Sequence, residues 1–323
     1  MRDAEVGRSR PGAGGSGAIS VIRATSVASP AGRAEDARIA EDMRAAAAPR
    51  RAAGELAEDG CTTAPAPGLP QDARAAEPDA PRLRIDSTAD RVVATLDRPE
   101  RRNAIDQRMV DELHALCAQL EENPRALIIT GADGIFAAGA DIAQLRERTG
   151  DDARRGINAT VFDRIRHLPM PVIAAVDGFA LGGGAELAYA ADIRIGTPRV
   201  RFGNPEPVLG IIAAAGASWR LPEIVGHARA SELLLTARVI DADEALAWGL
   251  LSSVHEPDAL LDAAHAIADR IAANSARATI LTKRALLAPR AEHPAIDGEL
   301  QAELFDSADK RARMTAFLER KKK

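Results

Sequence analysis

The sequence predicts an α/β fold, and three observations carry that reading. From Leu83 onward, apolar runs of strand length alternate with longer runs whose apolar residues recur at helical spacing. Gly, Pro, Asn and Asp cluster between these runs, as turns require. Hydrophobic residues make up 46% of the chain but aromatic ones only 3%, so the core must be filled mainly by Ala, Leu, Val and Ile. At 323 residues the chain can bury a large core, and its length alone would permit two domains.

Residues 1 to 80 are dominated by Ala, Arg, Gly, Pro, Asp and Glu. Such a composition buries too little apolar surface to offset the entropy of ordering, so the segment is expected to be a disordered, dispensable extension. The run DARIAEDMRAAAAPRRAAGELAED within it could form a transient charged helix, but lacks an apolar stripe wide enough to dock. Arg, Ala and Ser near the start match an organelle address only in composition, and Asp3 and Glu5 speak against one.

The core is expected from 81 to 256. RLRI and RVVATLD alternate as a hairpin would. A turn, RPERRNAID, then leads to a helix on which Met109, Leu113, Leu116 and Leu120 share the buried face. His114 on that helix has no partner at ligand spacing and reads as a packing or surface residue. ALIITG at 126 to 131 is a strand; FAAGADIAQLRER is a loop entering a helix, with Ala140 and Asp141 at its start and Asp141 as an ordinary N-cap. Residues 151 to 168 read as one helix ended by Pro169 and Pro171, with His167 placed to complement the helix dipole. PVIAAVDG is the next strand. RASELLLTAR, DADEALAWGL and PDALLDAAHAIADRIAANS are helices, the last with Leu260, Ala264, Ile267 and Ile271 on one stripe. A helical region over 257 to 323 closes the chain.

Charge and composition exclude several function classes. The net charge is −5, so nothing pulls the chain globally towards nucleic acid or acidic membranes, and an anionic ligand must meet a local basic patch. Cys61 and Cys117 are the only cysteines, too few for a disulfide scaffold or a Cys-based zinc site, and they fit a reducing cytoplasm. No apolar run reaches the length of a membrane span. The reading is a soluble, cytoplasmic protein that binds neither metal nor membrane.

The candidate site lies between Gly178 and Gly210. A strand ends, three glycines follow at Gly182, Gly183 and Gly184, and an Ala/Glu/Leu-rich helix begins. Glycines let another group approach the backbone closely, and amides at a helix start attract developing negative charge. Glu186 follows at once, and Glu206 comes after a turn-rich link, NPEP. Two carboxylates beside an anion-stabilising turn point to proton chemistry next to an enolate. Taken singly, the glycines also read as a plain turn and Glu186 as a dipole-matched surface residue.

The string from PVIAAVDGFALGGGAELA to NPEPVLG resembles the signature of the crotonase superfamily, the enoyl-CoA hydratases and isomerases. RPERRNAI at 98 to 105, FAAGADIAQL at 136 to 145, and AFLERKK near the end agree with it in the expected order, so the resemblance covers roughly residues 82 to 323. It implies a ββα spiral, or superhelix, as the core, and a C-terminal helical region that assembles a homotrimer or a dimer of trimers, a homohexamer. It also implies that Glu186 activates water, that Glu206 exchanges a proton at Cα, and that the amides of Ala140 and Gly183 form an oxyanion hole. The matching substrate-binding positions are Arg101, Arg102, Ala138, Asp141, Ile142, Phe317 and Arg320. The implied reaction adds water across a trans-2-enoyl-CoA to give the 3-hydroxyacyl-CoA, as in fatty acid β-oxidation, with no cofactor apart from the coenzyme A of the substrate.

The chain departs from the hydratase pattern at AAAGASW, residues 213 to 219, where Ala214 replaces a glycine whose amide lies near the reacting water and Trp219 replaces a polar residue. The alternatives are an enoyl-CoA isomerase or another crotonase-type reaction, and, from a different class, a catalytically weak module binding CoA or RNA. The acidic balance and single tyrosine argue against RNA.

Overall fold

The computed structural model describes residues 80–320. The N-terminal extension expected over 1 to 80 therefore lies almost wholly outside the described residues.

The hairpin forms from β1 (Leu83–Ser87) and β2 (Arg91–Leu96), which pair antiparallel. A short 3₁₀ turn, Pro99–Arg101, leads to α1 (Gln107–Glu122), whose N-cap Asp106 accepts from the amide of Met109. Met109, Leu113, Leu116 and Leu120 are all buried, as their spacing predicts. β3 (Ala126–Gly131) is followed by α2 (Ile142–Glu147), capped by Asp141. The single helix expected over 151 to 168 is two, α3 (Gly150–Arg155) and α4 (Ile157–Arg166). Gly156, at φ 61°, breaks it, because that left-handed conformation ends one helix and turns the chain into the next.

Next come β4 (Val172–Val176), β5 (Phe179–Leu181) and α5 (Gly183–Ala190). β6 (Ile193–Gly196) and β7 (Arg201–Gly203) precede a second 3₁₀ turn, Glu206–Leu209, and α6 (Ala217–Val225). Then follow α7 (His227–Thr236), β8 (Val239–Asp241), α8 (Ala242–Ala247) and β9 (Ser253–Val254). The chain ends in α9 (Leu260–Ala272), α10 (Ala276–Leu287), α11 (Ala295–Phe305) and α12 (Ala308–Arg320).

Two sheets organise these elements. The larger has the order β1-β2-β3-β4-β6-β9 and is parallel after the opening hairpin; the smaller has the order β5-β7-β8. β4 belongs to the first sheet and β5 to the second, and the same switch occurs between β6 and β7. After β3, Ala137 bridges in parallel to Ala180 of β5, so the chain repeats strand, strand, helix three times in succession. This is the ββα spiral.

Strand alternation sorts the core into two faces. Leu127, Ile129, Val172 and Ala174 join the main cluster with α1, α4 and α5. Ile128, Ile173, Ala175 and Ile195 point the other way, under Leu260, Ala264 and Ala268 of α9. Ile267 and Ile271 pack at the margin of that second cluster. Burying both faces of a parallel sheet explains why its strands are continuous apolar runs. Among the described residues, no helix is long and apolar enough to cross a membrane.

Candidate active site

The three repeats bring their turns to one place. Gly182 ends β5 at φ 50° and ψ −123°, a conformation that only glycine adopts without strain. Its amide donates to the carbonyl of Gly203 (2.8 Å) and its carbonyl accepts from Glu186 N (3.0 Å). The sheet thus fixes the turn and the turn starts α5. A Cβ on Gly184 would lie 2.2 Å from the carbonyl oxygen of Ala137, so the bare glycine lets α5 press directly on the chain that leads to Ala140.

This close packing sets two amides side by side. Ala140 is held by a parallel bridge to Ile105, with Ile105 N donating to Gly139 O (2.8 Å) and Asp141 N to Ile105 O (3.0 Å). A Cβ on Gly183 would stand 3.5 Å from Ala140 N, and one on Gly139 would stand 3.9 Å from Gly183 N. Neither Ala140 N nor Gly183 N donates to any acceptor among the described residues. Partly or fully buried amides are ordinarily paired, so this adjoining couple is equipped to receive a ligand oxygen.

Both carboxyls are buried beside it, Glu186 at 3% and Glu206 at 7% exposure. Glu186, on the first turn of α5, accepts through Oε1 from the amides of Ala215 (2.7 Å) and Ala217 (3.1 Å). Burial pushes its carboxyl up to about 7; the charge of Glu206 adds to the rise, while the two amides and the Arg220 guanidinium oppose it. Burial also raises Glu206, against its own main-chain amide and the Asn204 side chain. Glu206 Oε2 is sealed from solvent with no donor. The charge of Glu206 is felt at Glu186, so the two titrations are linked. Hydrogen bonds favour the anion on both carboxyls, and burial favours the proton on both.

Three residues that sequence reasoning passed over hold this pair. Asn204, fully buried before Pro205, accepts from Tyr189 Oη (3.0 Å), and its Nδ2 has no hydrogen-bond partner. Tyr189 lies one turn beyond Glu186 on α5 and is the only tyrosine of the chain. Arg220, also fully buried, donates to the carbonyl of Ala215 (3.2 Å) and to Asp163 (3.0 Å), and stacks over Trp219. The NPEP link and the AAAGASW departure flagged both neighbourhoods, but not which side chains turn inward. In that departure, Ala214 and Trp219 are exposed, and Ala215 and Ala217 supply the amides that hold Glu186.

The remaining candidate positions divide. Ala138 donates to the carbonyl of Arg102 (3.0 Å), which ties the RPERRNAI turn to the site, and the side chains of Arg101 and Arg102 are exposed next to it. Arg98 is engaged by Asp141 (2.8 Å) and Asp106 (3.4 Å). Asp141 also accepts from Ala143 N and Gln144 N, so its carboxylate serves the cap, while its amide and carbonyl are taken by Ile105 O and Leu145 N. Ile142 is 58% exposed. Phe317 and Arg320 lie on α12, which buries none of its side chains. His114 and His167 meet Arg164 and the carbonyl of Asp163, away from both carboxyls. Among the described residues, no group of three His, Cys, Asp or Glu could hold a metal ion.

Known proteins resemble this chain over most of the described residues. Residues 88–323 match the enoyl-CoA hydratase/isomerase family. The chain is 40% identical over 241 residues to the short-chain-enoyl-CoA hydratase of Clostridium acetobutylicum, covering 71% of this chain and 92% of that protein. It is 39% identical over 241 residues to the crotonyl-CoA hydratase of Syntrophomonas wolfei, with the same coverage. The crystal structure of an enoyl-CoA hydratase from Bacillus anthracis superposes with a TM-score of 0.70 at 32% identity, covering 74% of this chain and 96% of that one.

Proposed function

The chain belongs to the enoyl-CoA hydratase/isomerase family, and we propose that it hydrates trans-2-enoyl-CoA thioesters with Glu186 and Glu206 as its two catalytic residues. The observation that carries this reading is the adjacency of two unpartnered amides to two buried carboxyls, both raised by burial.

The thioester oxygen accepts from Ala140 N and Gly183 N, so charge driven onto it is stabilised as an enolate. Donors of this kind contribute about 3 to 4 kcal/mol each to transition-state stabilisation. Glu186, with Oε1 pinned by two amides, offers its other oxygen to water and takes a proton as the water oxygen bonds to Cβ. Glu206 gives its proton to Cα. Water is thereby divided between the two carbons; Glu186 ends protonated and Glu206 ionised, and transfer of one proton between the pair restores the starting state. These steps call only on groups of this chain, and coenzyme A enters as part of the substrate.

Arg101 and Arg102 supply guanidinium groups suited to its phosphates. Phe317 and Arg320 are assigned to its adenine and phosphate end across a subunit boundary, which fits a helix with an unburied face and a homotrimer or dimer of trimers. A cytoplasmic place in fatty acid β-oxidation accords with these properties. Crotonyl-CoA hydration, followed by loss of the enoyl thioester absorbance, tests the reading. Migration of a double bond without water uptake would instead make the enzyme an isomerase.

A further inference from the structure

Next to Gly183 stands a polar group for which hydration itself has no use. Asn158, the second residue of α4, is 8% exposed, and its Nδ2 lies 3.4 Å from where a Cβ on Gly183 would be. That nitrogen donates to no acceptor among the described residues, while Oδ1 accepts from Arg148 Nη1 (3.4 Å). The N-cap of α4 is Gly156, which has no side chain to satisfy the helix start, and the amides of Ile157, Asn158 and Ala159 donate to no acceptor among the described residues. An open helix N-terminus favours an anion.

Arg148 points to the same conclusion independently. It is partly buried, and desolvation lowers its pKa with only the charge of Asp152 in opposition. No carboxylate among the described residues lies within ion-pairing distance of it. Glu147 pairs with Arg146, and Asp152 is committed to the backbone and hydroxyl of Thr149 (both 2.7 Å) and to Arg155. Partly buried guanidinium groups are ordinarily neutralised. Arg148 and Ile157 line an open groove of about 590 Å³ together with Arg146, Glu147 and Asp152, so a ligand can reach them; the two carboxylates there are held by Arg146 and Arg155.

We propose that Asn158, Arg148 and the start of α4 recognise a carboxylate at the far end of a short acyl group, making the preferred substrate the monothioester of an unsaturated dicarboxylic acid. The inference rests on the hydratase reading, because the acyl chain is taken to leave the Gly183 amide in the direction of Asn158.

Titration calorimetry with glutaryl-CoA and valeryl-CoA, which share chain length and differ in the terminal carboxylate, reads recognition without turnover. Wild type is expected to bind glutaryl-CoA about tenfold tighter or more, the scale of charge-assisted hydrogen bonds. Arg148→Gln should close that gap by weakening glutaryl-CoA alone. Asn158→Asp, which gives Arg148 an internal partner, should close it too. Equal affinity of wild type for both thioesters overturns the inference. So does equal weakening of both by Arg148→Gln, which would place Arg148 on the coenzyme A portion. Crotonyl-CoA hydration run alongside tests the hydratase reading separately, since failure there with the glutaryl preference intact removes that reading and leaves the carboxylate recognition standing.

Discussion

Arg220 and Glu186 grip one peptide residue from opposite ends: the guanidinium donates to the carbonyl of Ala215 (3.2 Å) while the amide of Ala215 donates to Glu186 Oε1 (2.7 Å). A Cβ on Gly216 would sit 2.4 Å from Arg220 Nη1, so the glycine makes room for the cation inside the loop that Glu186 needs. The arrangement couples a buried positive charge to a buried acid without direct contact. It lowers the protonation constant of Glu186 and orients its free oxygen together.

Replacing Arg220 should therefore move the pH dependence of hydration in a fixed direction. Glu186 must be ionised to accept a proton from water, so the acid limb of kcat/KM reports its release near pH 7. Arg220→Met removes a cation that favours the anion, so the limb should move to higher pH. Arg220→Lys keeps the charge and should hold the limb closer to wild type. A pH–rate profile that is unchanged in Arg220→Met would detach this residue from Glu186.

Glu186→Gln and Glu206→Gln should each reduce crotonyl-CoA hydration by orders of magnitude, since general acid–base groups contribute roughly 10²- to 10⁴-fold apiece. Coenzyme A ester binding should persist, because neither carboxyl is needed to seat the thioester oxygen. Normal turnover in both variants would reassign the chemistry.

The same carboxyl makes a stability prediction. Glu186 has an ordinary value of 4.5 and a folded value of about 7, so between these pH values the folded chain holds a proton that the unfolded chain has lost. Folded stability consequently falls as pH rises through that window, by roughly 3 kcal/mol at most at about 1.4 kcal/mol per unit. Glu186→Gln, which can still accept from Ala215 and Ala217, escapes the loss. Its melting temperature relative to wild type should be higher at pH 8 than at pH 5, and an equal offset at both would contradict the raised value.

Much of this site could be read before any coordinates. Continuous apolar runs such as ALIITG and PVIAAVDG announced strands buried on both faces, and three glycines followed by Glu186 announced a turn built for close approach. The boundaries of α3 and α4 could not be read, because the positive φ of Gly156 is settled by what the two helices pack against. Nor could the assignment of β4 and β5 to different sheets, which depends on partners far away in sequence. Arg220 and Asn158 were invisible for another reason. Arginine and asparagine are mostly surface residues, and only the fold shows these two turned inward. Asn204 and Tyr189 are separated by fifteen residues and meet only because α5 and β7 lie against each other.

That last contact carries the most exposed consequence of the arrangement. Tyr189 Oη donates to Asn204 Oδ1 (3.0 Å) with both side chains fully buried, and this fixes which way the Asn204 amide faces. The donor end is thereby left on the side of Glu206, where it favours the carboxylate while making no hydrogen bond of its own. Tyr189→Phe keeps the ring, including its tilted contact with Phe202 at 6.0 Å, and deletes only the hydroxyl. Asn204 Oδ1 then becomes a buried acceptor without a donor, which costs about 1 to 3 kcal/mol and frees the amide to rotate. Thermal denaturation should show the destabilisation. Kinetics should show a fall in kcat with KM for crotonyl-CoA little changed, because the group disturbed delivers the proton to Cα and does not hold the thioester. A variant that loses stability yet keeps full kcat would confine Tyr189 and Asn204 to packing.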